Sequence, residues 1–194
     1  MNIINKIKKA NLVGRGGGSF PTAMKWEMVR KAMGNQKYVI CNASEGEPGV
    51  KKDGYILENF GERVIGGMKI AIDFLSATSH SNPLSAGERV KGYIFINHEY
   101  YKKFGRNLNK IIADDKKYKI ELFIKPTGSG YIGGEETSIL NAVEGKRVEP
   151  RLRPPFPTTN GLWNCPTLVN NVETFYNVSL AADDNFKKNR FYTI

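Results

Sequence analysis

Residues 14–26 read G-R-G-G-G-S-F-P-T-A-M-K-W: four glycines, an arginine and a lysine around one phenylalanine, followed by an apolar pattern at helical spacing. Glycine lets a backbone approach a ligand closely and adopt positive φ without a steric penalty. A glycine-rich loop that runs into a helix start presents unpaired N–H groups, which suit a phosphate. Arg15 and Lys25 add positive charge and Phe20 a flat apolar face, so the stretch reads as the phosphate end of a nucleotide or flavin site. A mobile surface turn is the competing reading of this loop taken alone.

The stretches downstream supply the setting. Tyr38-Val39-Ile40-Cys41 is a continuous apolar run, the mark of a buried strand, and it empties into the polar loop N-A-S-E-G-E-P-G at 42–49. A hydrophobic strand ending in a glycine-bearing polar loop is how α/β sheets build sites at strand carboxyl ends. Residues 92–97 and 119–125 repeat the strand pattern, and 1–13, 23–33, 55–75, 99–112 and 138–143 carry helical spacing. In 23–33 the apolar pattern runs through Met24, Met28 and Val29, with Gly34-Asn35 as the stop. Residues 76–89 read as an exposed insertion within one domain.

Three later stretches are also site-like. T-G-S-G-Y-I-G-G-E-E-T at 127–137 sets Glu135 and Glu136 at a helix start, where they can serve as caps or face a ligand. Residues 145–157, G-K-R-V-E-P-R-L-R-P-P-F-P, form a proline-fixed wall presenting Phe156 with Arg147, Arg151 and Arg153 nearby. V-N-N-V-E-T at 169–174 opens a helix, its asparagines suited to capping or to reaching a ligand.

Composition bounds the function. A chain of 194 residues with 40% hydrophobic and 25% charged content fits a single soluble domain with a real core. No run approaches the roughly 18 apolar residues of a membrane helix, and the N-terminus carries no signal-peptide pattern, so direct membrane insertion is excluded and a cytoplasmic location follows. The formal charge of +10 comes from dispersed lysines rather than a basic block, which argues against nucleic acid as partner. Cys41 and Cys165 are the only cysteines, read as free buried thiols and too few for an iron–sulfur cluster within this chain. His80 and His98 lack partners at metal-ligand spacing, so no metal site is expected.

Taken together, residues 14–26, 42–49, 131–137 and 144–174 resemble the FMN-binding domain of the NADH-oxidising flavoprotein subunit of respiratory complex I, shared with NAD-dependent hydrogenases and formate dehydrogenases. Its patterns are G-R-G-G-A-G-F-P-T-G-x-K-W, N-A-D-E-G-E-P-G, Y-I-x-G-E-E-T and, in the last stretch, E-G-K-R, P-R-L-R-P-P-F-P and N-N-V-E-T. The resemblance implies an α/β, Rossmann-like three-layer domain over 1–190, with a mostly parallel sheet and helices on both faces. It implies noncovalent FMN, with NADH as hydride donor and the cofactor carrying the chemistry. By position, Gly14, Arg15, Gly16, Gly17 and Lys25 line the FMN phosphate and ring. Asn42, Ser44 and Glu45 meet the flavin and ribityl, and Tyr131, Gly134 and Glu135 approach the isoalloxazine. Val169, Asn170, Asn171 and Thr174 close the FMN site. On the NADH side, Glu135 and Glu136 stand at the catalytic centre while Phe20 and Phe156 stack the adenine. No general base or covalent intermediate is expected.

Departures from the pattern are specific. Ser44 stands where the family has aspartate and Ser19 where it has glycine; Met28 replaces a third stacking phenylalanine of some members, weakening NADH binding by ~1 kcal/mol. The family continues into a ubiquitin-like domain and a helical domain bearing a 4Fe–4S cluster, whereas 191–194 fall about where the first of these begins. The implied partner is therefore an iron–sulfur acceptor subunit or a separate cluster-bearing domain, with association to a membrane-bound complex through it. A flavin-binding structural subunit without NADH turnover is the alternative.

Overall fold

The computed structural model describes residues 2–34, 36–77, 90–187 and 191. Four strands, β1 (Lys37–Ala43), β2 (Val90–Ile96), β3 (Ile120–Ile124) and β4 (Thr167–Asn171), form an all-parallel sheet in the order β3-β2-β1-β4. The helices are α1 (Ile3–Lys9), α2 (Thr22–Lys31), α3 (Lys52–Ser76), α4 (His98–Ala113), α5 (Glu136–Val143) and α6 (Val172–Ala182). Short 3₁₀ turns occupy Ile132–Gly134 and Leu162–Asn164.

β1 lies inside the sheet because its apolar run is buried on both faces, as parallel sheets require. Val39, Cys41 and Ala43 point into the larger core, which α1, α2, α3, α4 and α6 cover. Tyr38 and Ile40 point the other way, onto Ile139 and Leu140 of α5, Leu162, Phe95 and Val169. The result is three layers with helices on both faces.

The strand β4 is not what the sequence pattern predicts. A helix opening is expected at 169, but Thr167–Asn171 pairs with β1 from Tyr38↔Thr167 to Asn42↔Asn171, and the helix starts at Val172. A run with only Leu168 and Val169 apolar carries too weak a pattern to announce a strand, and pairing with β1 decides it.

α2 keeps Val29 buried as the pattern predicts but otherwise turns a different face inward. Ala23, Trp26 and Val29 are buried and Trp26 packs on Phe74 at 5.7 Å, which leaves Met24 and Met28 exposed. The helix ends at Lys31, short of Gly34, because the buried Lys37 ammonium donates to the carbonyls of Val29, Arg30 and Ala32 at its carboxyl end. Asn35 and positions 78–89 of the expected insertion lie outside the described residues; Ser76 belongs to α3. Phe191 packs on Tyr55, Phe60 and Tyr176, while 188–190 and 192–194 also lie outside the described residues.

Candidate functional site

The chain leaves β1 for β2 on one side of the sheet, while β4 pairs on the other side, so the strand order reverses between β1 and β4. In open α/β sheets a ligand crevice forms outside the carboxyl ends of strands at such a point. Asn42 and Asn171 face each other there in register.

The glycine loop is anchored to this point. An antiparallel bridge Val13↔Pro21 closes its neck, with Gly14 N donating to Phe20 O at 2.8 Å and Thr22 N to Leu12 O at 3.0 Å. Gly16 sits so close to β4 that a Cβ there would lie 3.4 Å from Asn171 Cβ, whereas around Gly17 and Gly18 the space is open. Gly17 uses φ 101, which glycine alone takes readily, and Ser19 occupies φ 47, a conformation that fits a position where the family pattern has glycine. Arg15 N donates to Thr174 Oγ1 at 3.0 Å, tying the loop to the first turn of α6.

A buried ionic cluster lies beneath the loop. The Arg15 side chain is 7% exposed and its Nε stands 3.8 Å from Glu173 Oε1, yet neither Nε nor Nη1 has a hydrogen-bond partner. Lys52 Nζ reaches Asp53 at 2.5 Å, Asn171 Oδ1 at 3.0 Å and Glu173 Oε2 at 3.4 Å. Burial pulls the Lys52 ammonium down, but Asp53, Glu173 and Glu45 more than offset it and hold its pKa above the ordinary lysine value. For Asp53, burial wins over Lys52 and lifts the carboxyl to about 6.

The two asparagines differ in capacity. Asn171 Oδ1 accepts from Lys52 and from Glu173 N, capping α6, and its Nδ2 donates to Asp53 Oδ2 at 2.7 Å and to Asn42 O at 3.5 Å. All four of its side-chain positions are thereby taken within the protein. Asn170 Oδ1 is buried without a partner. Val169, in the middle of β4, is buried on the opposite face of the sheet against the α5 side.

In the second stretch, Glu45 accepts from the amides of Asp53 and Gly54 at the start of α3 and from Tyr100 Oη at 2.5 Å. Ser44 Oγ donates to Asn42 Oδ1 at 2.7 Å, and Asn42 Nδ2 donates to Gly134 O at 2.9 Å, joining this stretch to the third. A Cβ on Gly134 would lie 2.6 Å from Ser44 Oγ, so glycine permits that approach.

The third and fourth stretches meet through charge. Glu135 caps α5, accepting from Thr137 N and Ser138 N, which starts the helix two residues earlier than the pattern predicts. Arg153 donates to Glu135 Oε1 at 2.6 Å and to Glu136 Oε1 at 3.0 Å, and Lys25 of α2 reaches Glu136 Oε2 at 2.9 Å. Phe20 and Phe156, each on a segment tied into this Lys25–Glu136–Arg153 chain, are about half exposed, and Tyr131 is exposed with its hydroxyl 3.3 Å from Glu47. Lys52 and Asp53 carry no sequence signal beyond a basic and an acidic residue at a helix start, and only the fold brings them to Asn171 and Glu173 and sets Tyr100 on Glu45.

Among the described residues no cluster of three or more histidine, cysteine or acidic side chains could hold a metal ion, and no helix is long and apolar enough to cross a membrane. Both cysteines are free, Cys41 buried and Cys165 half-buried.

A parallel α/β sheet with a glycine loop, a helix start and strand ends gathered at its switch point defines a domain of the nucleotide- and flavin-binding class. Residues 7–180 match the family model of the Nuo51 FMN-binding domain, and the chain belongs to that family. An NADH-quinone oxidoreductase subunit of Escherichia coli (strain K12) is 39% identical over 189 residues, covering 91% of this chain and 40% of that protein. The corresponding subunit of Aquifex aeolicus (strain VF5) is 37% identical over 191 residues, covering 97% of this chain and 44% of that protein. A chain of an NAD+-reducing [NiFe]-hydrogenase, solved in its air-oxidized state, superposes with a TM-score of 0.79 at 34% identity, over 93% of this chain and 30% of that one. The chain thus spans about 40% of the length of these curated relatives.

Proposed function

We propose that the chain holds FMN in the crevice between the ends of β1 and β4 and forms the NADH-oxidising module of a larger oxidoreductase, passing electrons to an iron–sulfur partner. The observation that carries this reading is Arg15: a buried guanidinium with two donor atoms lacking acceptors, beside a glycine loop and the start of α6. A buried ionised donor left without an acceptor is unfavourable, and a phosphate with nearly two negative charges completes it. The open space over Gly17 and Gly18 and the unpartnered Asn170 Oδ1 fit the rest of such a ligand. When bound, FMN supplies the hydride-accepting ring and the one-electron exit that no side chain provides.

The chain's own residues bind and orient. Arg15, the loop amides and the α6 start hold the phosphate. Asn42, fixed by Ser44 and Gly134, presents a set edge towards the ring; the serine locks it without the carboxylate that the family pattern carries. Glu45 shapes the site through the start of α3 rather than by reaching into it. On the outer side, Phe20 and Phe156 offer planar faces to an adenine, and Arg153 with Lys25 sets Glu135 and Glu136 towards the nicotinamide nucleotide. No side chain of this chain is assigned as a general base.

The test is an absorbance spectrum of FMN-reconstituted protein under anaerobic conditions, before and after NADH. Bleaching of the flavin bands is expected. Bound flavin that stays oxidised would leave only the structural flavin-binding role, and protein that takes up no FMN would remove both.

A further inference from the structure

We propose that Lys52 is a positioning residue for the anion subsite: by engaging Glu173 it keeps Arg15 out of a closed ion pair and available to the phosphate of a flavin nucleotide. This rests on the FMN reading above. Lys52 itself touches Glu173, Asp53 and Asn171, and acts through Arg15.

The geometry is unusual for an arginine and a glutamate buried side by side. A guanidinium and a carboxylate free to approach close to about 2.8 Å, commonly with two parallel hydrogen bonds. Here Glu173, 2% exposed, is within ion-pair distance of two cations yet hydrogen-bonds neither: Oε1 is 3.8 Å from Arg15 Nε and Oε2 is 3.4 Å from Lys52 Nζ. The backbones of Arg15 and Glu173 and the head group of Lys52 are anchored. Arg15 N is bonded to Thr174 Oγ1, Glu173 N to Asn171 Oδ1, and the Lys52 ammonium to Asp53 and Asn171. Lys52 is thereby fixed beside the Glu173 carboxylate and shares its charge.

Charge balance gives the same result. Arg15 and Lys52 face Asp53 and Glu173 around one buried cluster, with Glu45 beside it bonded to the first amides of α3 and to Tyr100. Without Lys52 the cluster gains negative charge, Arg15 becomes the sole cation for Asp53 and Glu173, and an incoming phosphate meets stronger repulsion. With Lys52 present, the unpartnered Nε and Nη1 of Arg15 remain for the ligand.

The effect runs through phosphate charge alone, so comparing FMN with riboflavin isolates it. Both flavins are titrated into the flavin-free full chain, with flavin fluorescence as readout, for the wild type, Lys52→Met, Glu173→Gln and the double variant. Lys52→Met is expected to lower FMN affinity by about tenfold, as when a buried charge cluster loses one member, and to leave riboflavin affinity unchanged. Glu173→Gln is expected to raise FMN affinity, and adding it to Lys52→Met to restore the wild-type preference. A parallel loss of both flavins in Lys52→Met, or an unaltered FMN-to-riboflavin ratio, would overturn the proposal by reducing Lys52 to a packing residue. Should Lys52→Met fail to fold with Asp53 left unpaired, Glu173→Gln decides alone: a higher FMN preference supports the proposal, and an equal or lower one overturns it. A wild type with no preference for FMN over riboflavin would instead overturn the FMN reading on which this rests.

Discussion

Asp53 is buried next to Lys52 and Asn171, with Glu45 bonded to its own amide and the buried Cys41 thiol close by. Its carboxyl titrates at about 6 in the folded chain against an ordinary 3.8, because burial outweighs the Lys52 ammonium. Folding therefore takes up a proton here. The stabilisation from that proton is fully present below the unfolded value and is lost as pH rises through about 6. Between pH 7 and pH 5 the wild type should gain about 1.4 kcal/mol from this one group. Asp53→Asn cannot gain it, so its stability relative to the wild type should fall by that amount over the same interval in urea unfolding. Parallel pH curves for the two proteins would place the proton elsewhere. At this scale the sequence is legible in residue type and silent on partners. Glu45 reads as a carboxylate offered to a ligand and Glu135 as either a cap or a ligand contact, and in both cases the side chain accepts from amides of a helix's first turn. An acid that caps a helix and an acid that meets a ligand sit in the same loop-then-helix pattern, and only the direction of the side chain separates them.

Between elements, the crossing of α3 and α6 supports the crevice from below, since α3 starts with Lys52 and Asp53 and α6 follows Asn171. Gly67 makes it possible: a Cβ there would collide with the Phe175 carbonyl oxygen and lie 2.7 Å from its carbonyl carbon. Backbone cannot yield as a flexible side chain would. Gly67→Ala should therefore destabilise the chain by about 3 kcal/mol, at the upper end of overpacking effects, measured as a lowered urea midpoint. Gly66→Ala, with nothing within 4 Å of its Cβ, is the internal control and should leave the midpoint unchanged or raised. Two adjacent glycines inside a helical pattern do not tell in sequence which of them carries the contact. The same limit explains β4 and α2. Periodicity counts apolar residues, so it passes over a strand with two of them. It also ranks methionine with tryptophan, and so points Met24 and Met28 inward where Trp26 goes instead.

On the scale of the molecule, segments far apart in the chain converge on one rim of one sheet. The glycine loop is tied to α6 through Thr174, Asn42 to the third stretch through Gly134, and α2 to α5 and the proline wall through Lys25, Glu136 and Arg153. A ligand seated there is held by elements on both faces of the sheet, so its binding energy belongs to the folded state as a whole and has no counterpart in the unfolded chain. At a free concentration of one hundred times Kd, such a ligand stabilises by about 2.7 kcal/mol. A chain of this size moves its Tm by roughly 2–4 °C per kcal/mol, so saturating FMN should raise Tm by about 5–10 °C. On the proposed placement of the phosphate at Arg15, inorganic phosphate at the same concentration should give a far smaller shift. Equal shifts for the two would mean that the loop binds an anion and the remaining segments grip nothing, whatever their place in the fold.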